Sequence, residues 1–315
     1  MRGYDFTRQD HIRGKLFIMK TVTEPGFIPG YTYEDALAAA LAGTPKDDRT
    51  GTGTISATGL QIRFNMTDQS YEPDRDNPEV FAPAVTTKKL AFKSAAVEFA
   101  WMFAGRNDVD YLTDKSINGV ASVGVWDAWR KEDGTIGKLY GYQWRNWETE
   151  LGSIDQVEEL ISGILTDPFS RRHIVSNWNV ADLNDGLLYP CVLQYQFIAR
   201  PGSDGEPLFL DLVMNQRSAD MFLGVPWDLY EAGLFLAVIS EYTGLVPGTL
   251  VWNGGDCHVY KDHVDQVCEQ LSRQPYSSPR LLIGELPADG VNIDPAVFTM
   301  DGYKYHPALS GRLSV

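Results

Sequence analysis

The run Leu187 to Phe197, LLYPCVLQYQF, restricts the folds open to this chain more than any other stretch. Pro190 cannot donate a ladder hydrogen bond, so it marks the head of a strand, and the apolar and aromatic residues after it continue that strand. Cys191 therefore stands where a strand begins, fixed in direction and still able to reach a cleft. The run alone leaves two readings open: a small buried hydrophobe, or a nucleophile. Cys257 and Cys268 make the cysteine count odd and supply no CxxC spacing, so neither a disulfide framework nor a zinc site is expected. Reduced thiols fit a cytoplasmic protein.

The neighbouring segments extend this strand into an α/β chain of 315 residues, long enough for two domains but read here as one. A second strand, Leu208 to Met214, leads through NQRSADMFLGVPWDLYEAG into a strongly apolar helix that Pro226 opens and that runs to about Tyr242. In NGGDCHVYKDH, His258 and Tyr260 alternate onto one strand face, and a helix follows. Upstream, Thr32 and Asp35 form a capping box for a helix that stops at Gly43, and Ser94 to Gly105 reads as a buried helix. Ser153 and Gln156 would cap an amphipathic helix ending at Asp167-Pro168, with a strand from Ile174 to Trp178 beyond it. Residues 1–30 read as an N-terminal extension, 31–315 as a single catalytic domain, and 67–80 as an exposed insertion within it.

A net charge of −15 argues against coating DNA or RNA, which needs a broad positive field. No apolar run approaches the roughly 20 residues that span a bilayer, and MRGYDFTRQDH has no apolar signal core, so no membrane partner is expected. Any anion must then be held by a local cluster. Arg49 in KDDRTGTGT, the pair Arg171 and Arg172, and Arg217 with Ser218 are the candidates, each with solvated surface polarity as its plain alternative. Glu98 shares a face with Ala95, Trp101 and Met102, where burial would raise its pKa and suit it to carry a proton; a paired structural glutamate is the other reading. Trp126, Trp129 and the patch YGYQWR, from Tyr140 to Arg145, offer core packing or a surface on which a flat heterocycle could stack. Asp220 and Asp228 can hydrogen-bond a polar ligand, and Asp228 in a first helical turn could equally serve the helix dipole. His258 and His263 lack a third ligand at metal spacing, so no metal is expected.

The succession DRTGTGT, VTTKK, VEFAWMFAG, VWDAW, YGYQWR, DPFSRRHIVSNWN, PC, QF, QRSADMFLGVPWD and GGDCHVYKDH resembles the thymidylate synthase family, in order and across roughly residues 33 to 315. The resemblance implies an α/β (α+β) fold with a large curved mixed sheet flanked by helices, the sheet lying at a homodimer interface. It implies a pyrimidine nucleoside monophosphate as substrate and 5,10-methylenetetrahydrofolate as one-carbon donor. By motif position, Cys191 matches the nucleophile that adds to C6 of the base and Glu98 the acid/base residue. Arg49, Arg217 and Ser218 match the phosphate site, with Arg171 and Arg172 reaching in from the partner subunit. His258 and Tyr260 match the sugar site, and Asp228 and Tyr140 positions beside the base. Trp126, Trp129, Asp220 and the C-terminal Val315 match positions that bind or enclose the folate.

Two departures refine the expectation. The family usually carries histidine after the nucleophile and asparagine after the turn that precedes the apolar helix; here those positions are Val192 and Asp228. A carboxamide accepts from N3–H of uracil and donates to O4, whereas cytosine presents a bare N3 and an amino group at C4. A carboxylate accepts from that amino group and stabilises a proton on N3. The chain is in this respect similar to the cytidylate hydroxymethylases, and hydroxymethylation of CMP or dCMP at C5, with water in place of hydride, is the expected reaction. Conversion of dUMP to dTMP with release of dihydrofolate is the alternative, and a non-catalytic nucleotide-binding protein a third.

Overall fold

A computed structural model describes residues 25–69 and 72–314; Val315 and most of the N-terminal extension lie outside the described residues. The architecture is mixed α/β, with one large mixed sheet flanked by helices. The strands are β1 (Gly26–Phe27), β2 (Thr44–Lys46), β3 (Thr54–Asn65), β6 (Ile174–Ser176), β7 (Val192–Pro201), β8 (Pro207–Asp220) and β9 (Val246–Tyr260), in spatial order β1-β3-β9-β8-β7-β6 with β2 also paired to β3. Between them in sequence, β4 (Trp147–Thr149) and β5 (Gly152–Ile154) form a separate hairpin, and β10 (Arg280–Ile283) pairs with β11 (Phe298–Asp301). The helices are α1 (Tyr33–Leu41), α2 (Phe92–Phe103), α3 (Val109–Thr113), α4 (Lys115–Asn118), α5 (Gly141–Arg145), α6 (Gln156–Thr166), α7 (Gly224–Thr243) and α8 (Val264–Ser272).

The longest strands, β8 and β9, run parallel, and α7 is the crossover that a parallel pair requires. Leu229, Leu234, Leu236, Val238 and Ile239 of α7 are all fully buried, as expected for a helix apolar around its circumference. Phe235 is the centre of this packing. The Trp144 ring stacks on it at 4.6 Å, while Tyr195 and Phe197 meet it edge-on at 5.2 and 5.1 Å. The contact joins α5, α7 and β7 in one core.

A close approach sets α5 against α2. A Cβ on Gly141 would fall 2.3 Å from the Met102 carbonyl oxygen, so only glycine lets the two helices meet there. The residue before it, Tyr140, is held at φ 48°, a left-handed conformation that a bulky side chain adopts only when its surroundings impose it. Helix packing has therefore aimed one tyrosine at a cost in backbone strain.

Several expected boundaries move. The Thr32–Asp35 capping box forms as read, with Asp35 N–H donating to Thr32 Oγ1 at 3.0 Å and Thr32 N–H donating to Asp35 at 3.2 Å. Helix α6, however, is capped by Asp155, whose carboxylate accepts from the N–H groups of Val157 and Glu158 at 3.0 and 2.9 Å, while Ser153 belongs to β5. A carboxylate directly before the helix meets both the orphan donors and the helix dipole, so it displaces the serine. Strand β6 ends at Ser176 because Asn177 turns its side chain inward, donating to the Val192 carbonyl at 3.1 Å and accepting from the Trp144 indole. Strand β8 continues six residues past Met214, to Asp220, because β7 and β9 pair with it on both sides. Within 67–80, Asp74 to Asn77 are exposed or partly so, while Thr67 is buried.

Candidate active site

Cys191 is partly exposed and immediately precedes β7. Its loop is held by Arg217 of β8. The Arg217 N–H donates to the Cys191 carbonyl at 2.8 Å, and the guanidinium donates from Nε to the Pro190 carbonyl and from Nη2 to the Tyr189 carbonyl, each at 2.8 Å. Burial pushes the Cys191 thiol up and Asp228 adds to this, while Arg217 opposes both. The resting sulfur is a thiol, and its proton must leave before it can attack.

Tyr140 links Cys191 to the acids. Its hydroxyl accepts the Cys191 N–H at 3.0 Å, and its ring meets Trp126 edge-on at 5.3 Å. Burial raises its pKa well above the ordinary value, and Cys191, Asp228 and Glu98 all add to that. Those three side chains therefore lie within electrostatic reach of one phenol, which stays protonated.

Glu98 of α2 is buried at 7% exposure. Desolvation raises its pKa well above the usual carboxylate range; the charge of Asp228 adds to the rise, and the Trp126 and Trp227 indoles oppose it. Trp126 Nε1 is itself buried without a hydrogen-bond partner among the described residues. Asp228, in the second turn of α7, is pushed up to about 7 by burial, with Gln216 opposing and Asp220 adding to it. Gln216 Nε2 donates to Asp228 Oδ2 at 2.8 Å, and Gln216 Oε1 accepts the Trp252 indole N–H at 2.7 Å. An indole N–H can only donate, so Trp252 fixes the amide with its NH2 toward Asp228. The expected alternative of Asp228 as a first-turn residue serving the helix end is corrected: α7 begins at Gly224 with no side-chain cap, which puts Asp228 in the second turn, and Asp220 closes the turn before the helix by accepting from the N–H groups of Phe222 and Leu223 at 2.9 and 3.1 Å. Asp220 is also a candidate for holding a ligand, and one of its oxygens is already committed to this turn.

The remaining candidates divide into two groups. Ser218 lies opposite Asp256, and Asp220 opposite His258, in the parallel pairing of β8 with β9. The rings of His258 and Tyr260 are 5.2 Å apart, and the Tyr260 hydroxyl is raised to about 12 by burial, Asp220 and Asp48, with Arg49 and Cys191 also within electrostatic reach. Arg49 thus belongs to the same neighbourhood, in a turn closed by the Gly53 N–H donating to Asp48 at 2.9 Å. Partly exposed Trp129 extends the aromatic patch 5.9 Å from Trp126. Arg171 and Arg172 instead lie exposed ahead of the edge strand β6. Arg172 lines a separate groove of about 590 Å³ with Leu160, Gly163 and His173, and within this chain neither arginine joins the Cys191 group. Among the described residues no group of three or more His, Cys, Asp or Glu side chains is placed to hold a metal ion.

Three residues of this site escaped the sequence reading. Gln216 and Trp227 carry no signal a single sequence exposes. Glu231 does, being a buried carboxylate in an otherwise apolar stretch of α7, three residues after Asp228 and therefore on the same side of the helix. The Trp227 indole N–H donates to Glu231 Oε1 at 2.9 Å.

The family profile described as Thymidylate synthase matches residues 31–315. The chain is 39% identical over 286 residues to a protein of Corynebacterium aurimucosum named Thymidylate synthase, covering 90% of this chain and 97% of that one. It is 40% identical over 274 residues to proteins of the same name from two strains of Coxiella burnetii, covering 87% of this chain and 95% of theirs.

Proposed function

We propose, from the premise that this chain belongs to the thymidylate synthase family, that it is a one-carbon transferase acting on C5 of a cytidine monophosphate and delivering a hydroxymethyl group. The observation that carries the cytosine reading is the carboxylate of Asp228, held by Gln216 at 2.8 Å and raised to about 7. A group that titrates there can take up and return a proton near neutrality, which suits a base whose N3 must be protonated to become electrophilic. In this reading Cys191 adds to C6 as its S–H proton departs, and Asp228 accepts from the C4 amino group and stabilises the proton on N3. Glu98, beside Tyr140 and Trp126, moves protons to and from the base and an ordered water. The C5 carbon made nucleophilic by the Cys191 addition bonds the methylene carbon of the folate, and C5 then gives up its proton as the carbon–nitrogen bond to tetrahydrofolate breaks. Water adds to the exocyclic methylene so formed, and Cys191 is eliminated, leaving the 5-hydroxymethyl nucleotide and tetrahydrofolate at unchanged oxidation state. Methylenetetrahydrofolate supplies the one-carbon unit. Trp126, Trp129 and the free oxygen of Asp220 offer the stacking surface, indole donor and acceptor that a flat folate ring requires.

Arg49, Arg217 and Ser218 would bind the phosphate and His258 and Tyr260 the sugar, with Tyr140 beside the base. Arg171 and Arg172, which do not join the Cys191 group in their own chain, would complete a partner's phosphate site across a homodimer.

The names of the relatives favour a second reading, dTMP formation from dUMP with dihydrofolate as co-product. Incubation with CMP, dCMP, UMP and dUMP, each with methylenetetrahydrofolate, separates the two. Mass spectrometry of the nucleotide and absorbance of dihydrofolate are followed together. The expected result is a hydroxymethylated cytidylate without dihydrofolate; dTMP with stoichiometric dihydrofolate would establish the second reading.

A further inference from the structure

Glu231 has no part in the chemistry above, yet it is buried at 6% exposure on the side of α7 that carries Asp228, and α7 packs on α2, which carries Glu98. Among the described residues none of the three carboxyls forms an ion pair. Apart from Asp220, the groups facing them are neutral. The Trp227 indole donates to Glu231, the Gln216 amide donates to Asp228, and the Tyr195 and Tyr140 phenols are held protonated, Tyr195 by burial and then by Glu231 itself. Asp220 is a further carboxylate acting on Asp228. Burial raises Glu231 well above the ordinary range, and Glu98 followed by Asp228 adds to it. With no cation among them, ionising any one makes ionising the next costlier. The Trp227 indole that donates to Glu231 also lies within hydrogen-bonding reach of Glu98, so one side chain of α7 stands between the two carboxyls.

We propose that Glu231 is a positioning residue that shares a proton with Glu98 and keeps Glu98 in its acid form while Asp228 is ionised by a bound base. Glu231 touches neither base nor sulfur. It acts by placing a second buried carboxyl where its charge and that of Glu98 exclude each other. The inference rests on the reading of Glu98 as the proton carrier and applies whichever pyrimidine is the substrate.

The test is a titration of the whole protein carrying 13C-carboxyl glutamate, with the Glu98 resonance assigned from E98Q. In the wild type, Glu98 should release its proton in two linked steps shared with Glu231. In E231Q, whose amide oxygen still accepts from Trp227, one step should remain, displaced to lower pH by about one unit. The alkaline limb of kcat should move the same way while KM for the nucleotide stays unchanged, a pattern that loss of packing alone does not produce. Superimposable Glu98 titrations and pH profiles for E231Q and wild type would overturn the proposal. If E231Q does not fold, the wild-type titration decides alone, and a single independent Glu98 step would refute the sharing. That titration needs no substrate, so its outcome is the same whichever base the enzyme takes.

Discussion

Cys191 and Asp228 carry opposite lessons at the scale of the residue. Cys191 is legible from its proline and its strand, whereas its state as a protonated thiol comes from desolvation and Asp228, which no local pattern reveals. Replacing Cys191 by alanine should abolish turnover with the melting temperature nearly unchanged; retained activity would remove it from the reaction. Substituting Asp228 by asparagine should move base preference from cytosine toward uracil in competition assays, and unchanged preference would undo the argument from that carboxylate. A pH effect follows from the same residue. Its pKa rises on folding from 3.8 to about 7, so over that window the folded state keeps a proton that the unfolded chain has released. Stability contributed at this site therefore falls as pH rises through the window and is level above it. D228N should gain stability relative to wild type as pH is raised across that range, measured by denaturant unfolding; parallel curves would show that Asp228 is not so shifted.

At the scale of the element, the decisive contact is α5 against α2. Gly141→Ala would set a methyl group against the Met102 carbonyl, and such overpacking costs about 1–3 kcal/mol. Because the same contact aims Tyr140 at Cys191, activity should fall further than stability alone explains, read as kcat at a temperature where both proteins are folded. The Thr32–Asp35 box could be read before the structure because capping is settled within four residues. Ser153 and Gln156 match the same spacing, but Asp155 stands nearer the helix and won. Local patterns hold only where no better donor or acceptor lies within a residue or two.

At the scale of the whole molecule, Arg171 and Arg172 lie exposed ahead of β6, and the proposal that they complete a partner's phosphate site makes a prediction about mixed dimers. Mixing inactive C191A with an inactive R171A/R172A double variant should restore roughly a quarter of wild-type activity, because half of random dimers are mixed and each holds one intact site. No recovery after verified subunit exchange would confine both arginines to another task. Among the described residues no helix is long and apolar enough to cross a membrane. The sequence by itself determined the family, the alternation of strand and helix, and most of the residues that the structure gathers around Cys191, because periodicity, proline position and motif order are written along the chain. It also displayed Glu231, a second acid three residues after Asp228 in a mostly apolar helix, without its meaning. Only the tertiary structure decided which acids are buried near one another, how Trp252 turns Gln216 toward Asp228, and that a strained Tyr140 meets Cys191. Burial and mutual charge depend on distances between residues far apart in sequence, and those distances exist only once α2, α7 and β7 have packed.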